Sequence, residues 1–269
     1  MNFKRFSGMI EVMKRKEYRI LAILGGTSLI GISVFFALGY RVSTKGFLSP
    51  SSISILSPSP QSSIFVDGNK KTTTKTANQL VEIGNLSAEV HNVLVAHTDF
   101  FPWAKNVSVE HGKTAELRPF LIPLAPQATI VLETNPLYRE IKTNIAGDTL
   151  PSIRSPKTSA DGGVSIWTED SVVYAMWQGD KKAPLSLCES NCDRMMVFAS
   201  DSPIRSLGFY TNRNDVIVIA VKSGIYAIEI NASGIQNFQP LYEGKEPAFF
   251  KKGNTYQVID DRAAFEISL

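Results

Sequence analysis

Two cysteines and three histidines in 269 residues leave little from which to build a metal centre. Cys188 and Cys192 would need two further zinc ligands, and no histidine lies near them in the chain. His91 and His97 fall on one strand face with only Asp99 as a local third ligand, and His111 sits apart in a turn. No metal or other cofactor is therefore expected. Gly-x-Ser-x-Gly does not occur, and neither does a glycine-rich phosphate loop. Asp260 and Asp261 are adjacent, so on a strand they would point to opposite faces; a turn suits them better than a carboxylate pair. An external hydrolase has no visible nucleophile, acid or base, and the chain is expected not to be an enzyme. Charge is scarce as well. Residues 1–40 hold six basic and two acidic groups, and the remainder is close to neutral with 22 basic and 23 acidic groups. That balance excludes the basic patch of a nucleic-acid binder.

What is present begins with one long apolar run. Ile20 to Tyr40, ILAILGGTSLIGISVFFALGY, has 21 residues and no charge. As a helix it would span about 31 Å, the thickness of a bilayer's hydrocarbon core. Lys4, Arg5, Lys14, Arg15, Lys16 and Arg19 precede it, and only Arg41 and Lys45 follow closely. Basic residues stay on the cytoplasmic side, so the asymmetry predicts a single-pass protein of the cell membrane with residues 1–19 inside and the rest outside. The rival reading is a cleaved signal peptide, but its apolar region is shorter, about 7–15 residues. Membrane lipid is the first expected partner, with anionic headgroups meeting the basic tail. Residues 41–61 contain Ser49-Pro50-Ser51-Ser52 and Ser57-Pro58-Ser59-Pro60 and are expected to form a stalk.

Beyond the stalk the pattern alternates. Ser63 to Val66 ends at Asp67-Gly68-Asn69, a turn that tolerates positive φ. Val90 to Ala96 is strand-like; Trp103, Val107 and Val109 share one face, as do Ala115, Leu117 and Leu121. Four or five such strands predict a small antiparallel β-sandwich over 62–125 that folds without the anchor. The residues Ile64-Phe65-Val66-Asp67-Gly68, His91-x-Val93-x-Val95, Phe101-Pro102-Trp103-x-Lys105-x-Val107-x-Val109 and Gly112-Lys113 resemble a PEGA domain, a β-sandwich of microbial envelope and surface proteins. Two features of that family are absent: Ser59-Pro60-Gln61-Ser62 stands where its namesake tetrapeptide would be, and Ala88-Glu89 replaces the usual glycine.

From 126 to 269 the strands lengthen. Ser165–Trp167 and Val172–Trp177 flank Glu169-Asp170-Ser171. Val216–Val221 turns through Lys222-Ser223-Gly224 into Ile225–Ile230, and Tyr256–Ile259 turns through Asp260-Asp261-Arg262 into Ala264–Ile267. The recurrence at about 40–45 residues resembles the blades of a partial β-propeller. The fold class is thus mainly β: a transmembrane helix, a sandwich and a propeller-like domain. Phe100, Phe101 and Trp103 cluster around Pro102 and form either a ligand platform or, for Trp103, part of the core; Trp167 and Trp177 are expected in the core. Outside the cytosol, Cys188 and Cys192 are expected to form a disulfide across a short loop. Together these features predict a non-enzymatic envelope protein that binds or scaffolds cell-wall glycan or another envelope protein. The alternative is a single-pass sensor or assembly factor with a cytoplasmic partner.

Overall fold

The computed structural model describes residues 26–37, 40–43, 46–48, 50–180, 182–184, 187–188 and 192–268. They are mainly β. The expected basic tail lies outside the described residues, as do 20–25 and 38–39 of the expected membrane span. Residues 26–37 are helical, and Leu29, Ile30, Ile32, Val34 and Phe36 are exposed on them. Among the described residues no helix is long and apolar enough to cross a membrane. The chain divides into two compact units: the described part of Met1–Ser52 with Ile83–Glu89 and Val109–Thr114, and Ile53–Glu82 with Val90–Ser108 and Ala115–Leu269.

The first strands, β1 (Arg41–Ser43) and β2 (Gly46–Leu48), pair as a short hairpin. The expectation of a stalk over 41–61 is corrected most clearly by β3 (Ser51–Ser57). Ile53 and Ile55 on it are fully buried, and Ser51 and Ser57 are buried too. Serine is small enough to sit on the inward face when its hydroxyl is satisfied. Ser51 Oγ donates to the Glu110 carbonyl at 2.8 Å, and Ser57 Oγ to that of Ser59 at 3.3 Å. Period two therefore overrides a composition that favours disorder.

Seven strands make the sandwich. After β3 come β4 (Ser63–Val66), β5 (Asn69–Thr73), β6 (Gln79–Leu86), β7 (Val90–Ala96), β8 (Trp103–Ser108) and β9 (Thr114–Leu117). One sheet has the order β5-β4-β7-β8 and the other β6-β3-β9. Asp67 and Gly68 both have positive φ, 52° and 74°, which closes the β4–β5 turn. The inward positions alternate: Ile64 and Val66 on β4, then His91, Val93 and Val95 on β7. Because β3 is the central strand of its sheet, the fragment 62–125 lacks part of this fold.

The rest of the chain forms three four-stranded antiparallel sheets. The first holds β11 (Lys157–Thr158), β12 (Val164–Glu169), β13 (Val172–Trp177) and β14 (Met195–Ala199) in sequence order. The second holds β15 (Ser206–Phe209), β16 (Val216–Val221), β17 (Gly224–Glu229) and β18 (Phe238–Glu243), also in order. The third is β19 (Ala248–Lys252), β20 (Thr255–Asp260) and β21 (Ala263–Ser268), completed by β10 (Gln127–Val131) from the start of the region. Every residue of β16 is buried, as a two-faced apolar run requires. Val164, Ile166, Val173 and Ala175 of the first sheet share one apolar core with Leu207, Ile217, Ile219 and Ile228 of the second. The helix α1 (Pro136–Gly147), capped by the Asn135 side chain, contributes Ile141 to a smaller core with Val131 and Ala264.

Candidate ligand-binding cleft

The apolar core between the first two sheets does not end at a polar surface. Phe198 on β14 and Tyr226 on β17 pack against its edge, and Phe238 on β18 continues the row. Cross-strand pairing sets Phe238 opposite Ile228, so Phe238 and Tyr226 are diagonal neighbours on one face. The rings of Tyr226 and Phe238 stack with centroids 4.6 Å apart, and those of Phe238 and Phe198 at 5.7 Å. Phe238 remains 44% exposed.

This aromatic row lines one side of a cleft of about 1130 Å³. Its polar lining groups are Ser200, Asp201 and Ser202 after β14, Lys222 and Ser223 in the β16–β17 turn, and Lys245 and Glu246 after β18, with Ala199, Val221 and Gly244 between them. The turns are held in place locally. The Ser202 amide donates to Ser200 Oγ at 3.1 Å, and the Glu246 amide to the Lys222 carbonyl at 2.8 Å. The hydroxyls of Ser223 and Tyr226 are 3.1 Å apart. Stacked rings beside hydroxyls, two ammonium groups and two carboxylates can hold a ligand with an apolar face and a hydrogen-bonding rim. No histidine or cysteine lines the cleft. Sequence reasoning missed these three rings: Phe198, Tyr226 and Phe238 stand on three different strands, one aromatic residue from each, and only the pairing of β17 with β18 and the packing of β14 beside them bring the rings together.

The residues singled out from sequence lie elsewhere. Trp103 is 1% exposed, which removes it from any ligand platform. Its indole Nε1 donates to Glu229 Oε1 at 2.8 Å, and Lys105 Nζ meets Glu229 Oε2 at 3.0 Å and the Asn231 carbonyl at 2.8 Å. Asn237 extends this junction: its amide accepts from the Ala104 backbone N–H at 3.0 Å and donates to the Ala104 carbonyl at 2.8 Å. Gln239 does the same two positions on, accepting from the Ile122 N–H and donating to the Pro102 carbonyl, both at 3.1 Å. Phe100 packs edge-on against His97, with centroids 4.7 Å apart. Phe101 lines a groove of about 250 Å³ with Leu124, Pro126, Pro240 and Tyr242.

Among the described residues no group of histidine, cysteine and carboxylate side chains could hold a metal ion. His91 is buried and its Nδ1 lies 2.7 Å from Asp67 Oδ2. That hydrogen bond, more than any other contact, holds the Asp67 carboxyl below its usual range. His97 accepts from the Asp99 amide at 3.2 Å. Asp261 occupies a turn at φ 55°, while Asp260 Oδ2 accepts from the Tyr242 hydroxyl at 3.0 Å and the Lys245 amide at 2.9 Å. Burial, reinforced by Asp260, pushes the Tyr242 hydroxyl up to about 12. Trp167 is 4% exposed, with Nε1 donating to Glu169 Oε1 at 2.8 Å. Trp177 is half-buried between glycines: a Cβ added at Gly163 would lie 2.8 Å from its ring, and one at Gly179 closer still.

Cys188 and Cys192 are joined by a disulfide, with Cα atoms 6.0 Å apart. Beside it, Leu187 is 1% exposed and enters the core of the first two sheets. The Cys192 carbonyl accepts from the Trp177 amide at 2.8 Å. The bridge thus ties a core side chain to the end of β13.

No protein-family model matches the chain, and no curated protein matches it. Among solved structures, a Bacteroides fragilis protein of unknown function, provisionally described as membrane-associated, is similar to 82% of this chain over 94% of its own. The two are 9% identical with a TM-score of 0.22, a likeness too slight to bear on fold or function.

Proposed function

We propose that the protein is a non-enzymatic binding protein of the cell envelope that captures a glycan in the aromatic cleft. In this reading residues 20–40 anchor it as a single membrane-spanning helix. The basic tail faces the cytoplasm, the sandwich is PEGA-like, and the three sheets are blades of an open propeller. The observation that carries the binding role is the row Phe198, Phe238 and Tyr226 beside Ser200, Asp201, Lys222 and Lys245. Sugar rings present C–H faces to aromatic carbon and hydroxyls to exactly such polar neighbours. Full-length protein titrated calorimetrically with chito- and cello-oligosaccharides tests it. At least one series should bind saturably, and Phe238→Ala should weaken that binding about tenfold, the loss of roughly one aromatic contact. Phe238 is exposed enough for its removal to leave the fold intact, which thermal melting of the variant checks. Failure of both series to bind, or binding indifferent to Phe238, overturns the proposal.

A further inference from the structure

A second cleft, of about 390 Å³, opens where the sandwich meets the second and third sheets. It shares no residue with the aromatic cleft. Asn78 reaches it from before β6, Arg118 from after β9, Tyr210 and Asn212 from the β15–β16 connection, and Asn254 from the β19–β20 turn. The five side chains come from four separate stretches of chain.

The electrostatics of this cleft are one-sided. Arg213 at its wall is already engaged. Its guanidinium meets both oxygens of Asp215 at 2.7 Å, donates to the Pro119 carbonyl at 2.9 Å, and also donates to the Arg118 carbonyl. Those bonds neutralise it and fix the backbone from which the Arg118 side chain projects. The Arg118 guanidinium itself is exposed, with no ion pair among the described residues. No aspartate or glutamate lines the cleft. What remains is one uncompensated, fork-shaped cation beside three exposed primary amides, each able to donate and accept. The Tyr210 ring packs near that of the buried Phe120, centroids 6.0 Å apart, and gives the cleft an apolar wall. Burial holds the Tyr210 hydroxyl in its protonated, donating form.

We infer that this cleft is a second binding site, selective for a carboxylated saccharide. Arg118 would hold the carboxylate through paired N–H donors, Asn78, Asn212 and Asn254 the hydroxyls, and Tyr210 the ring face. A neutral sugar would leave the guanidinium without its anion, and a simple anion would leave the amides unused.

The probe is trigalacturonate, compared with its methyl ester, titrated into the full-length protein at low and high salt. The free acid should bind saturably and the ester roughly tenfold or more weakly, since a charge-assisted pair is lost while every hydroxyl remains. Affinity for the acid should fall as salt rises. Arg118→Gln should reduce the acid to the level of the ester, Asn212→Ala should weaken both, and Phe238→Ala in the aromatic cleft should change neither. Arg118 and Asn212 are exposed, so these variants should melt like the parent. Equal affinity for acid and ester, indifference to Arg118→Gln, or no saturable binding of the acid overturns the assignment. Loss of the acid's binding on Phe238→Ala would move the site to the other cleft.

Discussion

Lys105 and Glu229 are 124 residues apart in sequence and 3.0 Å apart in space, with side chains 7% and 6% exposed. A buried charge is tolerated only when its partners are complete. Here the carboxylate also receives the Trp103 indole N–H and the Asn237 amide at 3.0 Å. Lys105→Met should therefore destabilise the protein by about 3–5 kcal/mol, because Glu229 keeps its charge and loses its counter-ion. Adding Glu229→Gln should recover a large part of that loss, giving a positive coupling in a denaturant-melt double-mutant cycle. A near-neutral Lys105→Met would mean that the pair is hydrated. Of this junction, sequence gives only one side. The period-two pattern Trp103-x-Lys105-x-Val107 marks one strand face but leaves the ring to either a core or a ligand platform, a choice that only its burial decides. The lysine on that face is unreadable without Glu229, which local pattern cannot bring to it.

At the scale of elements, hairpins were the most legible feature. Asp67-Gly68, Lys222-Ser223-Gly224 and Asp260-Asp261 announce turns chemically, and the strands flanking each of them pair. Strand β3 was hidden because Ser and Pro dominate the composition around it, while only Ile53, Ile55 and Leu56 carry apolar weight. Pairing β10 with β21 across more than a hundred residues leaves no local trace either. The disulfide loop belongs to this scale. Its closure is short, so by the chain-entropy model it contributes about 2 kcal/mol or less. Reduction, or Cys188→Ser with Cys192→Ser, should lower the melting temperature modestly and leave strand content unchanged in circular dichroism. The Leu187 side chain already anchors the loop in the core. Collapse of the first sheet on reduction would show that the bridge, and not Leu187, holds β13 to β14.

At the scale of the molecule, sandwich and sheets are joined by hydrogen bonds that neither part can make alone. A fragment of residues 62–125 should therefore lack a cooperative melt: it loses the central strand β3, and it exposes Trp103 and Lys105 without Glu229. Residues 50–269 should instead unfold in one transition seen alike by fluorescence and circular dichroism. Two transitions would separate the parts and restore the sandwich as a module. The Asn237 and Gln239 amides bear on this in another way. Each imitates a peptide group, and the one on Ala104 occupies the outer edge of β8 as a neighbouring strand would. A chain made from its N-terminus exposes that edge until residues more than 130 positions later arrive. At about 5–20 residues per second, the interval is on the order of ten seconds. For that time nascent β8 is an open template for pairing with other chains. Synthesis, more than the finished protein's stability, is then the stage at which this chain is most exposed to misassembly. Substitutions at Asn237 would prolong that exposure and show first as lost yield.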